Sequence, residues 1–147
     1  MAMVHPNTDP DHPVSRRVAP AAFHLGRILL ASLFLFAGLL KLTSYAQTEA
    51  SMTAVGLAPA ALLLPAVIAL ELGGGLLLAV GRRGAAPAAV LLALFTLLTN
   101  IFFHDFWTLE GEMTRLEGSL FLKNIAIAGG LLMFAGMRLS TTKRSSE

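Results

Sequence analysis

Residues 60–103 read AALLLPAVIALELGGGLLLAVGRRGAAPAAVLLALFTLLTNIFF, and this stretch decides the fold. A bilayer core about 30 Å thick takes roughly 20 mainly apolar residues per helix. The stretch contains two such windows, about 60–81 and 85–103, the first with Glu71 as its single charge and the second with none. Only Arg82, Arg83 and Gly84 separate them, a link that permits little except an antiparallel helical hairpin. Neither window alternates apolar with polar residues, as the strands of a membrane barrel must.

Working outward, a further window lies on each side. The segment at about 24–42 (HLGRILLASLFLFAGLLKL) carries Arg27 and Lys41 near its ends, and the segment at about 119–137 carries Lys123 alone. The expected fold class is all-α, a four-helix transmembrane bundle over residues 23–138. Composition agrees, with 55% hydrophobic and 14% charged residues among 147 and a mean hydropathy of +0.69. A water-soluble domain usually carries about 25% charge, and disorder needs low hydrophobicity with high charge. The absence of Cys excludes disulfides, thiolate metal ligands and iron-sulfur ligation by this chain. A net charge of only +2 is no footprint for nucleic acid.

Lys and Arg collect on the cytoplasmic side of short loops. With both termini inside, the inner set is Arg16, Arg17, Arg27, Arg82, Arg83, Arg138, Lys143 and Arg144, and the outer set is Lys41, Arg115 and Lys123. Eight against three predicts a multi-pass N-in, C-in protein with both termini cytoplasmic. Residues 1–22, with four Pro and no helical period, are expected to form a disordered cytoplasmic tail, and residues 139–147 a basic one. His5 and His12 in the first tail have no partner geometry for a metal, and no metal site is expected. Ser15-Arg16-Arg17 faintly suggests a secretion signal, but the following apolar run is long for one and Lys41 interrupts the approach to Ser44-Tyr45-Ala46.

An ionisable side chain near the centre of a spanning helix costs at least about 2.5–3.5 kcal/mol, so each marks a functional hypothesis and needs a partner. Glu71 lies about 16 Å into its span at 1.5 Å per residue, and must be paired, hydrated or protonated there. Its helix face also carries Val67, Gly74, Gly75 and Leu78, and glycines allow a second backbone to come close. Lys41, Asn100, His104, Asp105, Lys123 and Asn124 all fall in the expected outer half. Thr96, Asn100 and His104 repeat every four residues as one polar stripe. These positions predict a cavity open to the outer face, floored by Glu71 and lined by Lys41, Asn100 and Lys123. Glu71 and His104 are the candidates for proton transfer, and Lys41, Glu71, Asn100, Lys123 and Asn124 for ligand binding.

Structural alternatives stand beside each of these. A Lys near a span end lifts its ammonium to the headgroups, an intramembrane Asn often joins helices, and an interfacial His is commonly just solvated. Phe102, Phe103, Phe106 and Trp107 suit either an interfacial belt or the wall of an entrance for a flat apolar ligand. The connection from Asp105 to Gly118 suits a surface-lying amphipathic segment or a docking surface. No nucleophile–base pair, phosphate loop, haem-type His pair or two-His metal spacing is present, so the chain holds no self-contained catalytic site and whether it is an enzyme stays open.

Taken in order, RILLASLFLFAGLLKL (27–42), ELGGGLLLAVG (71–81), FFHDFW (102–107) and FLKNIAIAGGLLMFAG (121–136) resemble the DoxX family of small four-helix bacterial membrane proteins. The Arg-to-Gly-x-x-Lys first helix, the Glu followed by glycines and the Lys-Asn-x-Ala-x-Ala-Gly-Gly last helix carry the resemblance together. It implies an inner-membrane protein whose matching polar positions are Arg27, Lys41, Glu71, Lys123 and Asn124, none with an assigned catalytic role. Related DoxD-type subunits belong to a thiosulfate:quinone oxidoreductase, and other relatives accompany redox enzymes or stress responses. The resemblance therefore implies an accessory or quinone-interacting subunit, with no intrinsic cofactor, a quinone as ligand, and a soluble or membrane redox partner or a second copy of the chain beside the lipid bilayer. The alternative is a non-catalytic membrane scaffold or assembly factor whose polar residues only join helices. Solute or proton passage ranks last, since no inverted repeat relates the halves.

Overall fold

The computed structural model describes residues 13–144, with side chains placed for 19–140. Five α-helices follow in order: α1 Pro13–Thr43, α2 Tyr45–Ala54, α3 Ala60–Val80, α4 Ala85–Phe103 and α5 Glu112–Arg144, with a short 3-10 turn at Phe106–Thr108 before α5. All but α2 are long and apolar enough to cross a membrane. The four-helix bundle is present, and no strand occurs among the described residues.

The bundle is two antiparallel pairs, α1 against α3 and α4 against α5, joined across α3 and α4. Small residues set the spacing. A Cβ on Gly38 would stand 2.8 Å from the Leu72 side chain and 3.2 Å from Glu71 Cβ, and one on Gly75 would stand 3.0 Å from Leu35 and 3.3 Å from the Ala31 carbonyl oxygen. At Gly74 the nearest neighbour is Leu92 of α4, at 3.0 Å. These are the close approaches that the glycines after Glu71 suggest, here drawing α3 against α1 and α4. Around them Ala31, Leu78, Ala85, Ala89, Leu92, Ala93, Ala128 and Leu131 form a tightly buried core in the half of the bundle remote from α2. The opposite faces are apolar and exposed, as at Leu29, Phe36, Leu62, Leu122 and Met133, which suits a lipid surround.

Three boundaries differ from those expected. The segment 1–22 is not irregular throughout: α1 begins at Pro13, because a proline in the first turn loses no helical hydrogen bond and its fixed φ favours the start. Residues 1–12, with His5 and His12, and residues 145–147 lie outside the described residues. The connection between the first two spans contains α2, and the last helix begins at Glu112 rather than near 119 and continues through the basic segment to Arg144. Helix α2 lies across the α3 end of that connection, burying Met52 with Ala60, Leu64 and Ile68.

Candidate functional site

Four apolar helices and α2 enclose a cavity of about 430 Å³. Phe34, Met52, Val67, Phe95, Phe103 and Ile127 supply most of its wall, and the polar groups are few. Lys41 of α1 and Glu71 of α3 meet there, with Nζ donating to Oε1 at 2.8 Å. The pairing follows from packing: Gly38, one turn before Lys41, lets α1 lie against Glu71 Cβ, so the lysine stem needs only to extend along α3. Glu71 is 3% exposed and Lys41 27%, so the carboxylate is the deeply held member. Its second oxygen, Oε2, is buried and accepts no hydrogen bond from any described residue.

The remaining polar groups differ in what they offer. Thr96 Oγ1 donates to the Leu92 carbonyl at 2.7 Å, and Thr99 Oγ1 to the Thr96 carbonyl at 2.8 Å. Both hydroxyl hydrogens are thus spent on their own helix, which leaves only acceptors facing the cavity. Lys123 lines the cavity from α5 and is exposed, with no hydrogen bond or ion pair to a described residue. Asn124 also lines it, but its Nδ2 donates at 2.8 Å to Asn100 Oδ1.

Asn100 is where the structure corrects the expected lining. It is 1% exposed and lies behind the wall, its Nδ2 donating to the Phe121 carbonyl at 3.1 Å while its Oδ1 accepts from Asn124. The polar stripe on α4 is real, yet α5 covers this member of it. Asn100 therefore ties α4 to α5, and Asn100→Leu should cost roughly 1–2 kcal/mol, since it removes two inter-helix hydrogen bonds and strands the Asn124 amide. Unfolding in mixed micelles measures the loss, while the ligand content of the folded fraction should be unchanged.

His104 lines the cavity as well, but its partner is not the adjacent Asp105. Nδ1 lies 2.6 Å from Glu117 Oε2, joining the end of α4 to the early turns of α5. Asp105 instead holds the 3-10 turn, accepting from Thr108 Oγ1 at 2.9 Å. That turn packs Phe106 and Trp107 edge-on against Phe121, with ring centroids 5.3 and 6.0 Å away. Of the aromatic residues expected at an entrance, Phe103 reaches the cavity, whereas Trp107 is 58% exposed. Arg27 stands at the other end of the bundle, its guanidinium over Gly81, which has φ +66° and no side chain to obstruct it, and Nη1 3.5 Å from the Val80 carbonyl. It closes the end of α3 and has no part in the cavity. Among the described residues no three metal-ligating side chains converge.

Comparison with known proteins places the chain in a family. A family model described as DoxX matches residues 22–105. The chain belongs to the DoxX family. It is 40% identical over 111 residues to the inner membrane protein YqjF of Escherichia coli (strain K12), a match covering 76% of this chain and 79% of that protein. It is 28% identical over 117 residues to the inner membrane protein YphA of the same organism, covering 79% and 82% respectively. No solved structure matches the chain. The DoxX match includes Lys41, Glu71 and His104 and ends before α5, so Lys123 and Asn124 join the site through the fold rather than through that match.

Three parts of the site have no counterpart in the expected lining: the α2 wall with Ser51 and Met52, the Glu117 partner of His104, and the Thr99 acceptor. Glu117 is one of four acids from 105 to 117, and the start of α5 at Glu112 places it just over one helical turn in, opposite the end of α4.

Proposed function

We propose that this DoxX-family protein is an accessory membrane subunit of an oxidoreductase system and that its cavity binds a quinone or similar carbonyl-bearing lipophilic carrier. The observation that carries this is the vacant, buried Glu71 Oε2 beside the Lys41 ammonium in a mainly apolar cavity of about 430 Å³. Binding cavities for small molecules commonly fall between about 300 and 1,000 Å³, apolar with a few placed polar groups. A quinone supplies two carbonyl oxygens that become hydroxyls as electrons and protons arrive. Lys123, and Lys41 through hydrogens not given to Glu71, donate to an oxygen acceptor, and Glu71 Oε2 accepts from a hydroxyl. Glu71 and His104 are the groups able to hold a proton at the cavity wall. Electrons come from a redox partner.

We place both termini in the cytoplasm on the strength of the Lys and Arg distribution. The α2 end, with the cavity, then faces away from the cytoplasm. A scaffold role draws support from Asn100, a polar residue wholly occupied in joining helices. The discriminating experiment is mass identification of lipophilic molecules that co-purify with the protein in lipid nanodiscs, with Glu71→Gln as control. The expected result is a stoichiometric quinone in the wild type that is lost from the folded variant. Phospholipid alone in both samples would overturn the quinone-binding role and leave the scaffold, for which Glu71→Gln lowers abundance or assembly of a partner complex.

A further inference from the structure

Helices α1 and α5 touch only along part of their length. Phe23 and Phe134 stack at 5.4 Å with planes 15° apart, and Leu30 lies 3.7 Å from the Cβ position of Gly130. The two helices share little contact overall, and toward Lys41 both line the cavity, with Leu33 and Ala37 of α1 and Lys123 and Ile127 of α5. Leu33 and Lys123 are both lining residues and exposed, so they stand at its rim. The rim of a cavity between two lipid-facing helices faces hydrocarbon, whereas at the α2 end Met52 is buried against the cavity and only Ser51 is both lining and exposed.

From this we infer that the cavity opens sideways into the bilayer between α1 and α5, and that this gap seats the hydrocarbon tail of the ligand while the head lies against Glu71. The inference rests on the cavity binding a lipophilic carrier and adds its route and its shape: one alkyl or prenyl tail on an oxygen-bearing head. Two features favour a tail as occupant. The gap is walled by Leu33, Ala37 and Ile127, and it leads without interruption to the polar groups of the cavity. Lys123 at the rim has no partner among the described residues, so it is the first donor that an incoming oxygen meets. A water-soluble ligand gains nothing from such a route.

The chain has a single Trp, which makes a clean fluorescence test. In a Trp107→Phe background, Phe34→Trp places an indole on the cavity wall at a position only 4% exposed. In bilayers of phospholipid brominated along the acyl chain, this indole should lose most of its emission, and adding Ala37→Phe, which plugs the gap, should restore it. Aqueous acrylamide should quench it little. Phe95→Trp gives a second reporter on the opposite wall should Phe34→Trp fold poorly. Strong quenching by acrylamide with none by brominated lipid, or quenching indifferent to Ala37→Phe, overturns the sideways opening. Bromolipid is its own probe, so failure here leaves quinone binding from the aqueous side standing, and failure to recover a quinone leaves this result unaffected.

Discussion

Lys41→Met should cost the folded bundle about 3–5 kcal/mol, because removing one partner of a buried ion pair leaves the other charge uncompensated. The remaining charge is the one that cannot escape: Glu71 is 3% exposed near the middle of α3, and its Oε2 already lacks a donor. The reciprocal change is milder. Glu71→Gln leaves Lys41, which is 27% exposed two residues from the end of α1 and can raise its ammonium toward the headgroups. Replacing both by Met should return stability to within about 1 kcal/mol of the wild type, since an apolar pair of similar volume has no charge to desolvate. Reversible unfolding in mixed micelles of the two single variants and the double variant tests this as a cycle. Equal costs for the two single changes, or strict additivity in the double, would falsify the ion pair as a coupled unit.

Gly75→Leu should cost about 2–3 kcal/mol through overpacking, while Gly73→Leu, two residues away, should stay within about 0.5 kcal/mol of the wild type. The difference lies in what each meets. A Cβ at Gly75 stands 3.3 Å from the Ala31 carbonyl oxygen, a backbone atom that cannot turn aside, and the rest of a leucine would force α1 away from α3. A Cβ at Gly73 meets nothing within 4 Å. Separation of α1 from α3 also draws Lys41 from Glu71, so the Gly75 variant should lose co-purified ligand in addition to stability. Thermal unfolding in nanodiscs with ligand content measured alongside checks both effects, and equal tolerance at the two positions would contradict the packing described.

The spans were legible because each is a nearly uncharged window of bilayer length, and a three-residue link fixes the second and third as neighbours. Helix α2 was not legible in those terms: YAQTEASMTA is ten residues of mixed polarity, and only Met52 is buried. The site was partly legible for a related reason. A charge in a bilayer announces that it needs a partner, so Glu71 stood out, but two lysines were available and only the approach at Gly38 selects Lys41. Helical spacing put Asn100 and His104 on one stripe, yet a stripe covers a broad arc. It does not tell which member faces a void and which a neighbouring helix, and here α5 takes Asn100. The His104 partner depends on how thirteen residues fold back, which no periodicity encodes.

The pairing of α1 with α3 and of α4 with α5 bears on how the chain reaches the bilayer. Lys41 and Glu71 belong to the first hairpin, whereas Asn100, Asn124, His104 and Glu117 belong to the second. These polar pairs thus each form within one hairpin, and none of them must wait in hydrocarbon for the other half of the chain to be synthesised. Entry of a lone charged residue at a helix centre is penalised by roughly 2.5–3.5 kcal/mol, and a hairpin that arrives with its counter-ion in place escapes much of that barrier. Arg82-Arg83-Gly84 then links the two hairpins, and assembly reduces to docking two halves along the glycine and alanine faces of α3 and α4.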